Sequence, residues 1–160
     1  MGNYVLTGST GNGGNINITT GSLSLSDGAP LSASTYGQGN AGSVSVRASG
    51  AVELAGSNTI IFSNVEAGGV GKGGNIDIKA ASLSLKDGAQ LQTIVRETSD
   101  TQQAGRGNAG NVTIDVTGPV TIAGVKDGSR SAIYDREEAL PPVMHSQDPL
   151  GNEHKPPLLW

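Results

Sequence analysis

Four times the chain restarts with one phrase: Gly11-Asn-Gly-Gly-Asn-Ile-Asn-Ile18, Gly39-Asn-Ala-Gly-Ser-Val-Ser-Val46, Gly71-Lys-Gly-Gly-Asn-Ile-Asp-Ile78 and Gly107-Asn-Ala-Gly-Asn-Val-Thr-Ile114. The restarts at Gly11, Gly39, Gly71 and Gly107 lie 28, 32 and 36 residues apart. Each is a glycine turn followed by a short stretch in which apolar and polar residues alternate. Self-similarity at this period marks a chain that coils and stacks on itself, so that each unit buries its apolar face only against its neighbours. A stack of near-equal coils offers no obvious unique place for an active site.

Aligned on their first glycine, the repeats resolve into three strands per coil. The first carries inward pairs at Ile16/Ile18, Val44/Val46, Ile76/Ile78 and Val112/Ile114, with Asn17, Ser45, Asp77 and Thr113 between them. Strict alternation is the pattern of a strand with one buried and one wet face. After a short break, the second strand places Leu23/Leu25, Val52/Leu54, Leu83/Leu85 and Val120/Ile122 inward. Asp27-Gly28 and Asp87-Gly88 are turn dipeptides leading to the third strand; coil two has Gly56-Ser57-Asn58 instead. The third strand, with weaker alternation, is expected to turn Leu31/Ala33, Ile60/Phe62 and Leu91/Thr93 inward.

The length variation falls after the third strand, in residues 36–38, 65–72 and 97–106, as expected for loops projecting from one corner of a solenoid. Coils one and three share Ser-Leu-Ser-Leu-x-Asp-Gly-Ala-x-Leu, while two and four share Gly-Asn-Ala-Gly, pointing to a duplicated two-coil unit. A helix is excluded by the period of two and by the abundance of Gly, Ser, Thr and Asn. Stacking at about 4.8 Å would set Ile16, Val44, Ile76 and Val112 in one column and make four coils about 20 Å tall. The turn residues Asn15, Asn75 and Asn111 are expected to form an amide ladder broken by Ser43. The expected fold is thus all-β, a parallel β-helix of about four three-strand coils over residues 1–134.

Composition agrees. The chain has 25 glycines, only 3% aromatic residues and no cysteine, which excludes disulfides and thiolate metal sites. A net charge of −4 argues against a general nucleic-acid binder. No stretch approaches the ~18 apolar residues of a membrane span. Around Val125 the repeat wording fades, with a last partial strand expected in residues 129–134 and Ile133 inward. Residues 135–160 hold five of the seven prolines and both histidines. Disorder is the expectation there; a cap plugged by Leu158, Leu159 and Trp160, or a reading-frame accident, are the alternatives.

The phrases Gly-Asn-Gly-Gly-Asn-Ile-Asn-Ile, Gly-Ser-Leu-Ser-Leu-Ser-Asp-Gly-Ala, Gly-Gln-Gly-Asn-Ala-Gly and Val-Thr-Ile-Ala-Gly-Val resemble the repeats of large filamentous-haemagglutinin-like exoproteins, especially cyanobacterial ones. The resemblance covers residues 8–128, about three quarters of the chain. It implies a right-handed parallel β-helix, exported by two-partner secretion and acting as an adhesin or fibrous protein at the outer cell surface. It supplies no catalytic residues. The opening Met1-Gly-Asn-Tyr-Val-Leu-Thr-Gly8 has neither the family's secretion domain nor a signal segment, so the chain is expected to be a C-terminal piece of a longer protein.

Candidate chemistry is sparse. Asp27 and Asp87 occupy equivalent turns, which marks them as turn formers rather than a catalytic pair. Asp77 and Asp115 face outward, while Glu53 and Glu66 are dispersed, so a polysaccharide lyase or hydrolase is disfavoured. Gly73-Gly-Asn-Ile-Asp77 matches a calcium β-roll only in part, and its repeat is too long. His145 and His154 lack the spacing of a zinc pair. No metal or cofactor is expected. The unique corner loops are where specificity would reside, with Glu66, Lys72, Glu97, Asp100 and Arg106 as the candidate contacts for surface glycans or a neighbouring cell. The competing reading is a plain spacer, and exposed coil ends raise the prospect of end-to-end self-association.

Overall fold

The structure is a computed structural model that describes residues 1–98 and 101–137. It is all-β among those residues and winds as a parallel β-helix. The first strands, β1 (Ile16–Thr20), β4 (Val44–Ala48), β7 (Ile76–Ala80) and β10 (Val112–Val116), stack in that order as one parallel sheet. A second sheet stacks β2 (Leu23–Ser26), β5 (Ala51–Ala55), β8 (Ser82–Lys86) and β11 (Val120–Ala123). A third stacks β3 (Pro30–Ser32), β6 (Ile60–Phe62), β9 (Gln90–Val95) and β14 (Ala132–Glu137). Neighbours are always one coil apart, because a strand can satisfy its backbone only on the equivalent strand above or below.

The register sets like on like. Ile16, Val44, Ile76 and Val112 form one inward column, and Ile18, Val46, Ile78 and Ile114 the next. In the second sheet the columns are Leu23, Val52, Leu83, Val120 and Leu25, Leu54, Leu85, Ile122. The inward side chains of the middle coils are closed from solvent, including Val44, Val52, Leu54, Ile76 and Leu85. Each contributes about 1.5–3 kcal/mol by its burial. The last coil is more open, and Val120 and Ile122 retain 47% and 44% of their exposure.

The third sheet corrects the sequence reading at one coil. Leu31 and Leu91 align with Ile61, which is fully buried; Ile60 and Phe62 point outward and are half-covered. Coil two carries one more residue than coils one and three between its second and third strands, at Gly56, whose φ is +102°. One extra residue exchanges the inward and outward sets of a strand. The inward positions after Leu31, Ile61 and Leu91 are Ala33, Ser63 and Thr93, all fully buried. Asp27 and Asp87 are turn residues as read, with φ of +54° and +52°.

Two features had no counterpart in the sequence reading. An antiparallel hairpin, β12 (Val125–Lys126) with β13 (Ser129–Arg130), is inserted between β11 and β14 and turns at Asp127-Gly128, both left-handed. At the other end, residues 1–10 already lie on the coil: Gly2 bridges Ser32, Val5 bridges Thr35 and Thr10 bridges Gln38. The third-strand position is therefore filled beneath β3 as well as above β9, whereas the first and second sheets begin at β1 and β2. A second copy stacked end to end in register would bring two third strands to one level, so one of them would have to leave.

Ile133 packs on the core as expected, and pairing continues past residue 134, to Glu137 against Val95. The remaining tail, with its expected disorder and the candidate cap of Leu158, Leu159 and Trp160, lies outside the described residues.

The restart glycines explain why the coils stay in register. A Cβ placed on Gly74 would lie 2.0 Å from the Gly42 carbonyl oxygen, and one on Gly107 would lie 1.6 Å from that of Gly71. Gly21, at the break between β1 and β2, faces open space. Gly74→Ala is therefore expected to cost about 2 kcal/mol or more, lowering the melting midpoint by several degrees, while Gly21→Ala stays within about 0.5 kcal/mol. Equal melting temperatures for the two variants would contradict the stacked-glycine geometry.

Candidate functional site

The corner after the third strand is built on two further ladders of single bridges. Val5, Thr35, Val65 and Val95 form one, and Thr10, Gln38, Val70 and Arg106 the other. The length variation lies between them, so insertions bulge outward while both flanks remain paired. Beyond the second ladder the turn is held by side chains that accept from the coil above. Asn15 Oδ1 accepts from the Ser43 N–H at 2.8 Å, Ser43 Oγ from the Asn75 N–H at 3.1 Å, and Asn75 Oδ1 from the Asn111 N–H at 3.0 Å. Ser43 thus continues the expected ladder instead of breaking it, and the bonds run to backbone rather than between amides. A parallel ladder passes from Asn12 to the Asn40 N–H and from Asn40 to the Lys72 N–H, both at 2.9 Å.

Residues flanking the buried Val5 ladder point outward and stack in columns. Leu6, Tyr36, Glu66 and Arg96 follow the bridged residues; the Tyr36, Glu66 and Arg96 N–H groups bond to the carbonyls of Val5, Thr35 and Val65 at 2.8–2.9 Å. On the other side, Ser34 Oγ accepts from the Asn64 N–H and Asn64 Oδ1 from the Ile94 N–H, each at 3.0 Å. Asn64 then donates through Nδ2 to Glu66 Oε1 at 3.0 Å, and Arg96 Nε donates to Glu66 Oε2 at 2.9 Å. Both carboxylate oxygens of Glu66, a nearly buried side chain, are committed to these partners. A buried charge requires such pairing and hydrogen bonding.

This corner and the outer face of the third sheet enclose an open groove of about 850 Å³. Its floor includes Gln90, Gln92 and Ile94 of β9 with Tyr134 and Arg136 of β14; its rim includes Tyr36, Glu66, Arg96 and the start of the 97–106 loop. Gln92 donates to Gln90 Oε1, and Gln90 donates to the Arg130 carbonyl at 3.0 Å. Burial is the largest influence on the Tyr36 phenol and pushes its pKa up; the charges of Glu66 and Tyr4 add to this, and Arg96 opposes it.

Of the residues singled out from sequence, Glu66 and Glu97 meet at this groove. Lys72 does not: it is exposed and stands in the turn ladder where Asn12 and Asn40 stand in the coils below. Arg106 occupies the outer bridge opposite Val70, with Nη2 donating to Gln103 Oε1 at 3.1 Å. Asp100 lies outside the described residues. Sequence reasoning missed Tyr36, Gln90, Gln92, Arg96, Tyr134 and Arg136. Their available signal was that each stands on the outward side of the third strand or its extension.

The outer face of the first sheet is a mixed-charge surface. Thr19, Arg47, Lys79 and Asp115 share one column, and Asn17, Ser45, Asp77 and Thr113 the next. Asp115 is paired with Lys79 at 2.8 Å, so Asp77 and Asp115 stand in different columns with a cation beside them. Among the described residues no group of three or more His, Cys, Asp or Glu could hold a metal ion, and no helix is long and apolar enough to cross a membrane. Comparison with known proteins finds no matching family model, curated protein or solved structure.

Because the folded chain holds the Tyr36 proton more tightly than the unfolded chain does, this tyrosine adds stability that is complete below the ordinary phenol pKa of about 10 and is lost as pH rises through the higher folded value. Glu66→Gln removes one of the repelling charges. The highest tyrosinate step in an absorbance titration should then move down, remaining above the ordinary value because burial is the larger cause. Tyr36→Phe should abolish that step. A step unmoved by Glu66→Gln would show that the carboxylate does not act on this phenol.

Proposed function

We propose that this chain is a non-catalytic structural segment of an adhesive surface protein: a stiff column that carries binding surfaces away from the cell. The observation that supports this reading is the continuity of the three parallel sheets through all four coils, with insertions confined to the corner between two intact ladders. Such a design conserves a shaft and varies its outer rim. The repeat wording it shares with haemagglutinin-like exoproteins supports placing that column at the outer cell surface. Adhesive contact with glycans falls to the groove at the corner, because that is where unique side chains gather on an otherwise repetitive scaffold.

A polysaccharide-cleaving enzyme is the rival class. A glycosidase needs two carboxyl groups facing each other across the substrate, one of them free to donate or accept a proton. Of the two carboxylates at the groove, Glu66 has both oxygens held by Asn64 and Arg96, and on the first sheet Asp115 is held by Lys79. With Glu66 committed in this way, Glu97 has no second carboxyl free to work with it across a bound sugar.

Pulled from its two ends, the column should unravel coil by coil. Each step would release one repeat of 28–36 residues, roughly 90–130 Å of extended chain. Incubation with soluble pectin, alginate or glucan should release no new reducing ends. Rupture of the whole domain in one event would overturn the column reading, and sustained release of reducing ends would overturn the non-catalytic one.

A further inference from the structure

We propose that the outer face of the third sheet binds a neutral polysaccharide, laid along the column axis between Tyr36 and Tyr134. This rests on the adhesive reading above, but it moves the contact from the corner loops to the sheet itself.

The distribution of aromatic residues carries the argument. The whole chain has three tyrosines, one phenylalanine and one tryptophan. Every aromatic side chain among the described residues lies on this one face. Tyr4 precedes the buried Val5, and its ring meets Tyr36 with centroids 6.0 Å apart. Phe62 lies between the buried Ile61 and Ser63, so it points outward. Tyr134 aligns with Gln92, which aligns with Phe62, so the three form one column. The outer faces of the first and second sheets carry no aromatic residue among those described. Aromatic rings are not needed to close this core, which is filled by Ile, Val, Leu and Ala. Their gathering on one outer surface points to contact with a ligand that offers flat apolar faces and hydroxyl edges, a requirement that a half-exposed Tyr meets with ring and hydroxyl together.

The polar groups define the ligand further. Gln90 and Gln92 form the floor, and an amide both donates and accepts, as a sugar hydroxyl requires. The charges at the groove balance: Glu66 and Glu97 against Arg96 and Arg136. Arg96 is already directed at Glu66. An anionic chain would find no net attraction there, and the whole chain is itself at −4. Tyr36 belongs to the first coil and Tyr134 to the fourth. Three strand spacings, about 14 Å, separate those levels, which is room for a short run of linked sugar rings.

The test is affinity electrophoresis of the full chain in gels containing hydroxyethylcellulose, yeast mannan or alginate. Retardation is expected with at least one neutral polymer and not with alginate. Tyr134→Ala and Tyr36→Ala should each weaken retardation by about fivefold or more, with the far-ultraviolet spectrum at the assay temperature unchanged. Tyr134→Phe keeps the ring and should retain most of the binding, which guards against a loss of fold in the alanine variant. Lys79→Ala, on the first sheet, should bind as the parent does. Retardation by alginate that fades with salt, or retardation by a neutral polymer that survives both alanine variants, would overturn the assignment. So would no retardation by either neutral polymer; the column reading would then still stand or fall on its stepwise unraveling.

Discussion

The coil closes only because backbone lies directly on backbone at its glycine turn. At Gly39, Gly71 and Gly107, and again at Gly42, Gly74 and Gly110, the carbonyl of the coil beneath occupies the place where a side chain would begin. The approach lets each turn N–H reach the coil next to it, from the Gly39 N–H on the Val70 carbonyl to the Gly73 N–H on the Asn108 carbonyl, both at 2.8 Å. It also fixes the height of every strand that leaves the turn. Columns of like residues follow from that height, because a parallel strand emerging at a fixed level has one register in which its apolar side faces inward.

The small inward residues of the third sheet belong to the same arrangement. Ala33, Ser63 and Thr93 are fully buried, and the last two reach the glycine turn. Ser63 Oγ lies 2.7 Å from the Gly42 carbonyl and accepts from the Gly74 N–H at 2.9 Å, and Thr93 Oγ1 donates to the Gly110 carbonyl at 2.8 Å. These hydroxyls tie the third strand to the turn. With both flanks of the corner held, the segment between them is free to lengthen. It is there that Glu66, Asn64 and Arg96 form a charged network and the groove opens over the third sheet.

Much of this was legible in the residues. Alternation at Ile16/Ile18 and Leu23/Leu25 and their counterparts set the first two sheets, because strict period two has a single reading when one face is buried. The third sheet was harder. Ile60, Ile61 and Phe62 are three consecutive apolar residues, and only the extra Gly56 decides which faces inward. Residues 1–10 carry no restart phrase, so their pairing with Ser32, Thr35 and Gln38 had no local signal. The site was only half visible for a related reason. Length variation pointed to the corner and to Glu66 and Glu97, but Tyr36, Arg96 and Tyr134 come together through stacking across four coils. Lys72 and Arg106 looked like loop charges because their ladder positions emerge only once the coils are superposed.

The central claim is that equivalent residues stack coil upon coil in the registers described. Methyl nuclear Overhauser spectroscopy on the isotopically labelled chain tests it most directly. The stack predicts contacts from Val44 to Ile76, from Leu54 to Leu85, and along Leu31, Ile61 and Leu91, with none linking Leu31 directly to Leu91. Contacts from Leu31 to Ile60 in place of Ile61, or cross-peaks that pair these strands antiparallel, would contradict it.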